Sequence, residues 1–321
     1  MFELLHFQVG DLLHPVKVYD MMSYWWYHYR GKWDHLVDTD KKRALELKWR
    51  LDMGTKLDWR HPRTFNEKIQ WLEAFSDTSL WTKYADKHEV RKYVEACGYQ
   101  DTLLQEYGLW DSVDDIDFDA LPDSFAIKCT HDYASTVLVE DKSKIDKESL
   151  VKHLRWRMKL THGYETVEPH YTKIPHRIIA VELLPHSSKD GEIGAAPIDY
   201  KILCIEGKAY LMLICYNRNI QQNKHVCEYY SLDPWEQRLD YLSEKYRHQD
   251  FRPIPRPENL NQMIEMAETL SKGFHQVRVD LYNIDGKIYF GELTFTWSCG
   301  RIDNQSEELQ KSLGEKILLP I

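Results

Sequence analysis

Hydrophobic and polar positions along this 321-residue chain change period several times. Residues 276–296, QVRVDLYNIDGKIYFGELTFT, form two arms of β-branched and aromatic residues around Asp285-Gly286 and predict a hairpin. Phe125–Cys129 and Val137–Val139 predict two short strands around a polar turn. Arg177–Leu184 predicts a buried strand, and Asp199–Tyr216 a second hairpin turning at Glu206-Gly207. Helical spacing is clearest after Thr64. Thr64 and Glu67 read as a capping box, and Phe65, Ile69, Leu72 and Phe75 follow on one face. Asp86 starts another helix, with Val90, Tyr93, Val94 and Cys97 aligned until Gly98 stops it. Asp40–Leu51, Ile145–Leu160, Pro257–Lys272 and the tail from Ser306 also read as helices. Residues 1–60 concentrate aromatics, among them Tyr24-Trp25-Trp26-Tyr27, Tyr29 and Trp33. Such a segment is either a cover on the main domain or a docking surface for a membrane or a partner.

The hairpin carries the sharpest chemistry. A two-residue loop at Asp285-Gly286 pairs Val279 with Glu292 and sends Asp280 and Glu292 to opposite faces. A three-residue loop, Ile284-Asp285-Gly286 with Gly286 left-handed, pairs Arg278 with Glu292 and puts Asp280 diagonally beside it. Only the second register collects Arg278, Asp280, Glu292 and Thr294 on one face. Two carboxylates converging there suit a cation, and Mg²⁺ accepts such ligands when phosphates complete its shell. The competing reading is a solvated hairpin face with an ordinary Arg–Glu pair.

Other candidates are weaker alone. Lys87 falls in the first turn of the helix begun by Asp86, where it opposes the helix dipole unless an anion binds. Lys128 is an isolated charge in an apolar strand. The turn after it, His131-Asp132-Tyr133-Ala134-Ser135-Thr136, can fold over phosphates, although it has no glycine to ease backbone approach. The competing reading is a surface hairpin with a snorkelling lysine. The basic run His153–Lys159 reads as a solvated helix face. Asp115, Asp117 and Asp119 imitate a calcium loop, but Ala120 and Ala126 stand where Gly and Glu are needed.

Composition narrows the function classes. A net charge of −9 argues against a general nucleic-acid binder. No apolar run approaches bilayer length, and the N-terminus lacks the basic region and cleavage site of a signal peptide. The six cysteines show no CxxC spacing, so free thiols in a cytoplasmic protein are the expectation.

Taken together, Thr64-Phe65-Asn66-Glu67-Lys68-Ile69-Gln70-Trp71, Ala85-Asp86-Lys87, Lys128-Cys129-Thr130-His131, Asp199-Tyr200-Lys201, Ser271-Lys272-Gly273-Phe274, Val277–Tyr282 and Gly291–Thr296 resemble the TupA-like branch of the ATP-grasp superfamily, from about His61 to Gly300. The resemblance implies an α+β ATP-grasp fold, two lobes clasping ATP, behind a helical aromatic extension. Its segments would be residues 1–60 (extension), 61–121 (helical pre-grasp region), 122–184 (first lobe) and 185–321 (second lobe with the metal site). It implies Mg²⁺ and ATP as cofactors. Lys87, Lys128, Ser135 and Thr136 would hold phosphates, Glu182 and Leu183 would read adenine, and Asp199 with Lys201 would complete the nucleotide site. Asp280, Glu292 and Thr294 would hold Mg²⁺, with Arg278 and Lys87 catalytic.

By the same resemblance, the reaction would activate a carboxylate as an acyl phosphate for attack by an amine, in bacterial cell-surface polysaccharide synthesis. The expected partners are an acidic sugar or uronic-acid glycan and an amino acid or small amine, with no nucleic acid. A membrane or polysaccharide-assembly partner would dock through the aromatic segment, at the inner face of the membrane. Arg218 and Arg301 suit an anionic acceptor, and Trp297, Tyr200 and Tyr216 suit stacking on sugar rings. After Phe295-Thr296, Trp297-Ser298-Cys299-Gly300 replaces the Pro-Gly of many relatives. Two alternatives stand beside this. One is a sugar kinase using His131 as base, the other a non-catalytic glycan-binding module.

Overall fold

The computed structural model describes residues 15–133, 135–185, 197–219, 224–247 and 251–320, without the side chains of 15–20, 217–219 and 224–225. Its helices in chain order are α1 (Pro15–Tyr29), α2 (Trp33–Thr39), α3 (Lys41–Met53), α4 (Phe65–Phe75) and α5 (Ser79–Ala85). They continue with α6 (Glu89–Ala96), α7 (Lys147–Arg157), α8 (His162–Thr166), α9 (Leu260–Leu270) and α10 (Glu307–Lys316). No helix among the described residues is long and apolar enough to cross a membrane. Contacts divide the chain into two units, and three separate segments build the first: residues 1–79, 161–173 and 296–321.

That first unit is helical. Asp40 caps α3 by accepting the Arg43 N–H, and Gly54 ends it in the left-handed region. Trp33, Leu36, Val37, Ala44, Leu45, Leu47 and Val167 form a core against which Tyr24 and Tyr27 of α1 pack. Met22, Trp25, Trp26 and Tyr29, on the other side of α1, are exposed. Thr64 and Glu67 form the full capping box of α4. From α4, the Asn66 amide brackets Ile302 through both its main-chain groups. The Gln70 amide reaches the Cys299 carbonyl at 3.1 Å. These contacts explain why the sequence keeps Asn66 and Gln70 on an otherwise apolar helix face.

The second unit, residues 80–160 and 174–295, holds both sheets. The four-stranded sheet joins β1 (Glu106–Trp110), β2 (Phe125–Cys129), β3 (Val137–Val139) and β4 (Ile178–Val181) in the order β1-β4-β2-β3. Phe125, Ile127, Cys129, Ile178 and Ala180 pack on Leu150 and Leu154 of α7. By strand alternation Ala126 and Lys128 face the other way.

The six-stranded sheet joins β5 (Asp199–Ile205), β6 (Lys208–Asn219), β7 (Lys224–Ser231), β8 (Glu236–Gln237), β9 (Gln276–Ile284) and β10 (Lys287–Thr294), all antiparallel, in the order β10-β9-β5-β6-β7-β8. α9 buries Met263, Met266, Ala267 and Leu270 against it. β1, β7 and the short helices lay below what the hydrophobic pattern resolved.

The β9–β10 hairpin corrects the predicted loop. Ile284 pairs with Lys287, so the loop has two residues, with Asp285 at φ 50° and Gly286 at φ 86°. That is the twist-compatible turn that Asp-Gly favours. The register then shifts between Phe290 and Glu292, with Gly291 as the extra residue of a bulge. A Cβ at Gly291 would lie 2.9 Å from the Asp280 carbonyl oxygen, so the bulge requires glycine. After the bulge Glu292 pairs directly with Asp280, and Thr294 with Arg278. The carboxylates share a face, as expected, but through the bulge and not through a longer loop.

Candidate active site

One row of side chains crosses three neighbouring strands: Lys201 on β5, Asp280 on β9 and Glu292 on β10. The adjacent row contains Arg278 and Thr294. Lys201 bonds Asp280 and, at 2.7 Å, Asp199. Arg278 grips both oxygens of Asp280 at 2.7 Å and reaches Thr294 Oγ1 at 3.1 Å. Its Nη2 lies 3.5 Å from Glu292, whose Oε1 accepts the Thr294 hydroxyl at 2.9 Å. The two carboxylates differ in burial: the Asp280 side chain is 3% exposed, that of Glu292 45%. Burial works against the Asp280 charge, yet Arg278 and Lys201 hold its pKa below the usual carboxylate range. Burial likewise opposes the Arg278 charge, and Asp280 outweighs it and raises the guanidinium pKa.

Lys128, half-buried on β2, lines a cleft with Lys87, Arg91, Leu104, Phe290 and Gly291. Both sheets therefore contribute to one cleft, and the bulge glycine is part of its wall. Burial and then the neighbouring Lys87 lower the Lys128 pKa to about 8, with Glu292 pulling the other way. Two ammonium groups lining one cleft favour an anion between them. Lys87 lies just before α6, in a turn that Asp86 caps by accepting the His88 and Glu89 N–H groups. Its Nζ donates to the Asp132 carbonyl. Arg91 was not foreseen; its guanidinium is drawn to the cleft wall by the Leu104 carbonyl and Glu106.

The turn after β2 is anchored. Arg157 of α7 is buried and grips both oxygens of Asp132. Ser135 Oγ accepts the Cys129 N–H at 2.9 Å, while Thr136 is exposed and Ala134 lies outside the described residues. The basic run of α7 is thus not wholly a solvated face. His131 is buried, stacked on His176 at 3.7 Å, with Nε2 at 3.1 Å from the Leu160 carbonyl. Burial and then His176 lower its pKa to about 4. This is the setting of a structural histidine, which corrects its reading as an acceptor-side base.

Glu182 is exposed, follows β4 and accepts the Gln105 N–H at 3.2 Å, and Leu183 packs against the cluster of Ala126, Ile179 and Val181. The proposed acceptor residues are less well matched. Trp297 is buried in the first unit, as are Tyr200 and Tyr216 in the second, so none offers an open stacking face. Arg301 is buried in the first unit, 2.8 Å from Asp52 and bonded to the Thr166 carbonyl. Arg218 lies on β6 with its side chain outside the described residues. Cys215 and Cys227 face each other across β6 and β7 as a disulfide, so the free-thiol reading holds only for Cys97, Cys129, Cys204 and Cys299.

No group of three or more His, Cys, Asp or Glu residues among those described can hold a metal by itself. A metal at Asp280 and Glu292 would have two protein carboxylates, that of Asp280 shared with Arg278 and Lys201, and would take its remaining ligands from water and phosphate. That is how Mg²⁺ is usually held, so the donor set fits it.

A model of the TupA-like ATP-grasp family matches residues 67–318. The chain is similar to an L-amino acid ligase from Bacillus licheniformis at 14% identity and TM-score 0.44, over 80% of this chain and 55% of that one. It is similar to an ATP complex of D-alanine–D-alanine ligase from Bacillus anthracis at 12% identity and TM-score 0.38, over 80% and 71%. A third likeness is the ADP complex of purK, N5-carboxyaminoimidazole ribonucleotide synthetase, at 15% identity and TM-score 0.40, over 78% and 56%. The chain spans about half the length of the first of these structures. No curated protein matches. The family match covers most of the chain, including both sheets and the Asp280–Glu292 face: the chain belongs to the TupA-like ATP-grasp family and has its α+β ATP-grasp fold.

Proposed function

We propose that this protein is an ATP-dependent ligase that joins a small amine, most simply an amino acid, to the carboxylate of an acidic sugar in cell-surface polysaccharide synthesis. The observation that carries the reading is the row Lys201–Asp280–Glu292 with Arg278 beside it and Lys128 in the same cleft. Phosphoryl transfer needs positioned cations around spread negative charge and little else from the protein. Lys128 and Lys87 bind and orient the ATP phosphates. Asp280 and Glu292 hold Mg²⁺, which when bound supplies Lewis-acid and template chemistry. Arg278, fixed by Asp280, presents a permanent positive charge to the transferring phosphoryl group and to the oxyanion formed when the amine attacks. Asp199, held by Lys201, accepts from the ribose, and Glu182 with Leu183 borders adenine. The aromatic stripe of α1 serves as a membrane or assembly contact, at the cytoplasmic face.

The acceptor residues are argued less closely, because Trp297 and Arg301 are engaged within the first unit. A sugar kinase would use the same phosphate site, but the burial of His131 removes its nominated base.

The test is to incubate the protein with Mg-ATP and uronic acids or uronic-acid nucleotide sugars, with and without amino acids, adding hydroxylamine in parallel. ADP release requiring both substrates, and a hydroxamate on the sugar, are the expected results. A stable phosphosugar would move the enzyme to the kinase reading. A hydroxamate only on the amino acid would reverse the direction of activation.

A further inference from the structure

The strand pairing extends the site face beyond the charged rows. Asp199 on β5 pairs with Cys215 on β6, and Cys215 with Cys227 on β7. Directly opposed residues in an antiparallel ladder point to the same side of the sheet. Asp199, whose carboxylate is tied to Lys201 and through it to Asp280, therefore has the sulfur pair as its lateral neighbour on the nucleotide face.

We propose that Cys215 and Cys227 are a reversible thiol–disulfide modification site on that face, covered when ATP binds. The inference rests on the assignment of the face to ATP under the proposed function. Two observations point to a reversible pair and not a structural brace. The ladder already pairs these strands on both sides, at Ile214–Glu228 and Tyr216–Val226. Cys227 is partly exposed, so a thiol reagent reaches it from solvent, while Cys215 is buried beside Asp199.

The chemistry balances with a disulfide oxidant such as oxidised glutathione. The Cys227 thiolate attacks the oxidant and releases one thiol, and the Cys215 thiolate displaces the second. One S–S bond forms in the chain as the oxidant's bond breaks. Two electrons pass to the oxidant, and the two protons lost by the cysteines end on the released thiols. A dithiol reverses the sequence. Because bound nucleotide and an attacking thiol compete for one surface, ATP slows reduction.

The experiment uses wild-type full-length chain in two measurements. Thiols are counted after denaturation, in protein treated with oxidised glutathione and in protein treated with dithiothreitol. Four are expected in the first and six in the second, since Cys97, Cys129, Cys204 and Cys299 stay free. Six in both overturns the proposal. The rate of disulfide reduction by dithiothreitol is then followed with and without saturating Mg-ATP. A slowing of at least about threefold is expected, and equal rates overturn the proposal. ATP binding to both redox forms is measured by calorimetry. Binding with equal reduction rates defeats this inference alone, whereas no binding by either form defeats the nucleotide-face assignment and this inference with it.

Discussion

Asp280 and Glu292 face each other across two strands but differ in what they hold. Asp280 neutralises two buried cations, whereas Glu292 is nearly half exposed and touches Arg278 only at 3.5 Å. Glu292→Gln should therefore lower turnover by about a hundredfold or more while leaving the denaturation midpoint close to wild type. Asp280→Asn should lower turnover as far, and also cost about 3–5 kcal/mol because Arg278 and Lys201 lose a buried counter-charge. Equal stability of the two variants in urea titration would contradict this division. Lys128 gives a pH signature. With a folded pKa near 8, below the unfolded value, it loses its charge between pH 7 and pH 9, so the proposed function predicts that ATP affinity weakens over that range. Fold stability runs the other way. The unfolded chain holds more protons between the two pKa values, so the cost of burying this ammonium is relieved as pH rises through about 8. Lys128→Arg should flatten the affinity profile, as calorimetry across pH would show. The charged residue types of the face were legible in the sequence, because isolated charges in apolar strands stand out. The burial of Trp297, Arg301 and His131 was not, because exposure is set by residues distant in sequence, such as Asp52 for Arg301 and Leu160 for His131.

At the scale of elements, the hairpin shows both what patterning reveals and where it stops. Asp-Gly located the turn, and alternation located the strands. The bulge at Gly291 was signalled only by a glycine inside a strand, a cue that bears on register as directly as the turn does. Gly291→Val should force the Asp280 carbonyl and the added side chain apart, disturb the Asp280–Glu292 pairing and reduce Mg²⁺-dependent ATP binding by about tenfold or more. Retained affinity in that variant would show that the bulge does not set the site. The turn after β2 has a comparable dependency. Arg157→Ala strands the buried Asp132 carboxylate and should destabilise by about 3–5 kcal/mol, while Arg157→Met with Asp132→Leu should recover much of the loss. Urea titration of the three proteins checks this. Helical periodicity placed α7 correctly but did not distinguish Arg157, on its inner side, from the solvated Arg155 two residues earlier.

For the whole molecule, the family and the fold class were legible because the strand-face segments, Val277–Tyr282 and Gly291–Thr296, lie within the stretch that the family match spans. The assembly of the first unit from three separated segments was not, since local periodicity carries no information about which helices meet. The net charge of −9 makes the cationic cleft a local exception, so the proposed function predicts that nucleotide binding depends strongly on a divalent cation at Asp280 and Glu292. The most direct measurement is calorimetric titration of ATP into wild type and Glu292→Gln, each with and without Mg²⁺. The account predicts that Mg²⁺ strengthens wild-type binding by about tenfold or more and that most of this gain is lost in Glu292→Gln. Equal wild-type affinity with and without Mg²⁺, or an unchanged gain in Glu292→Gln, would contradict it.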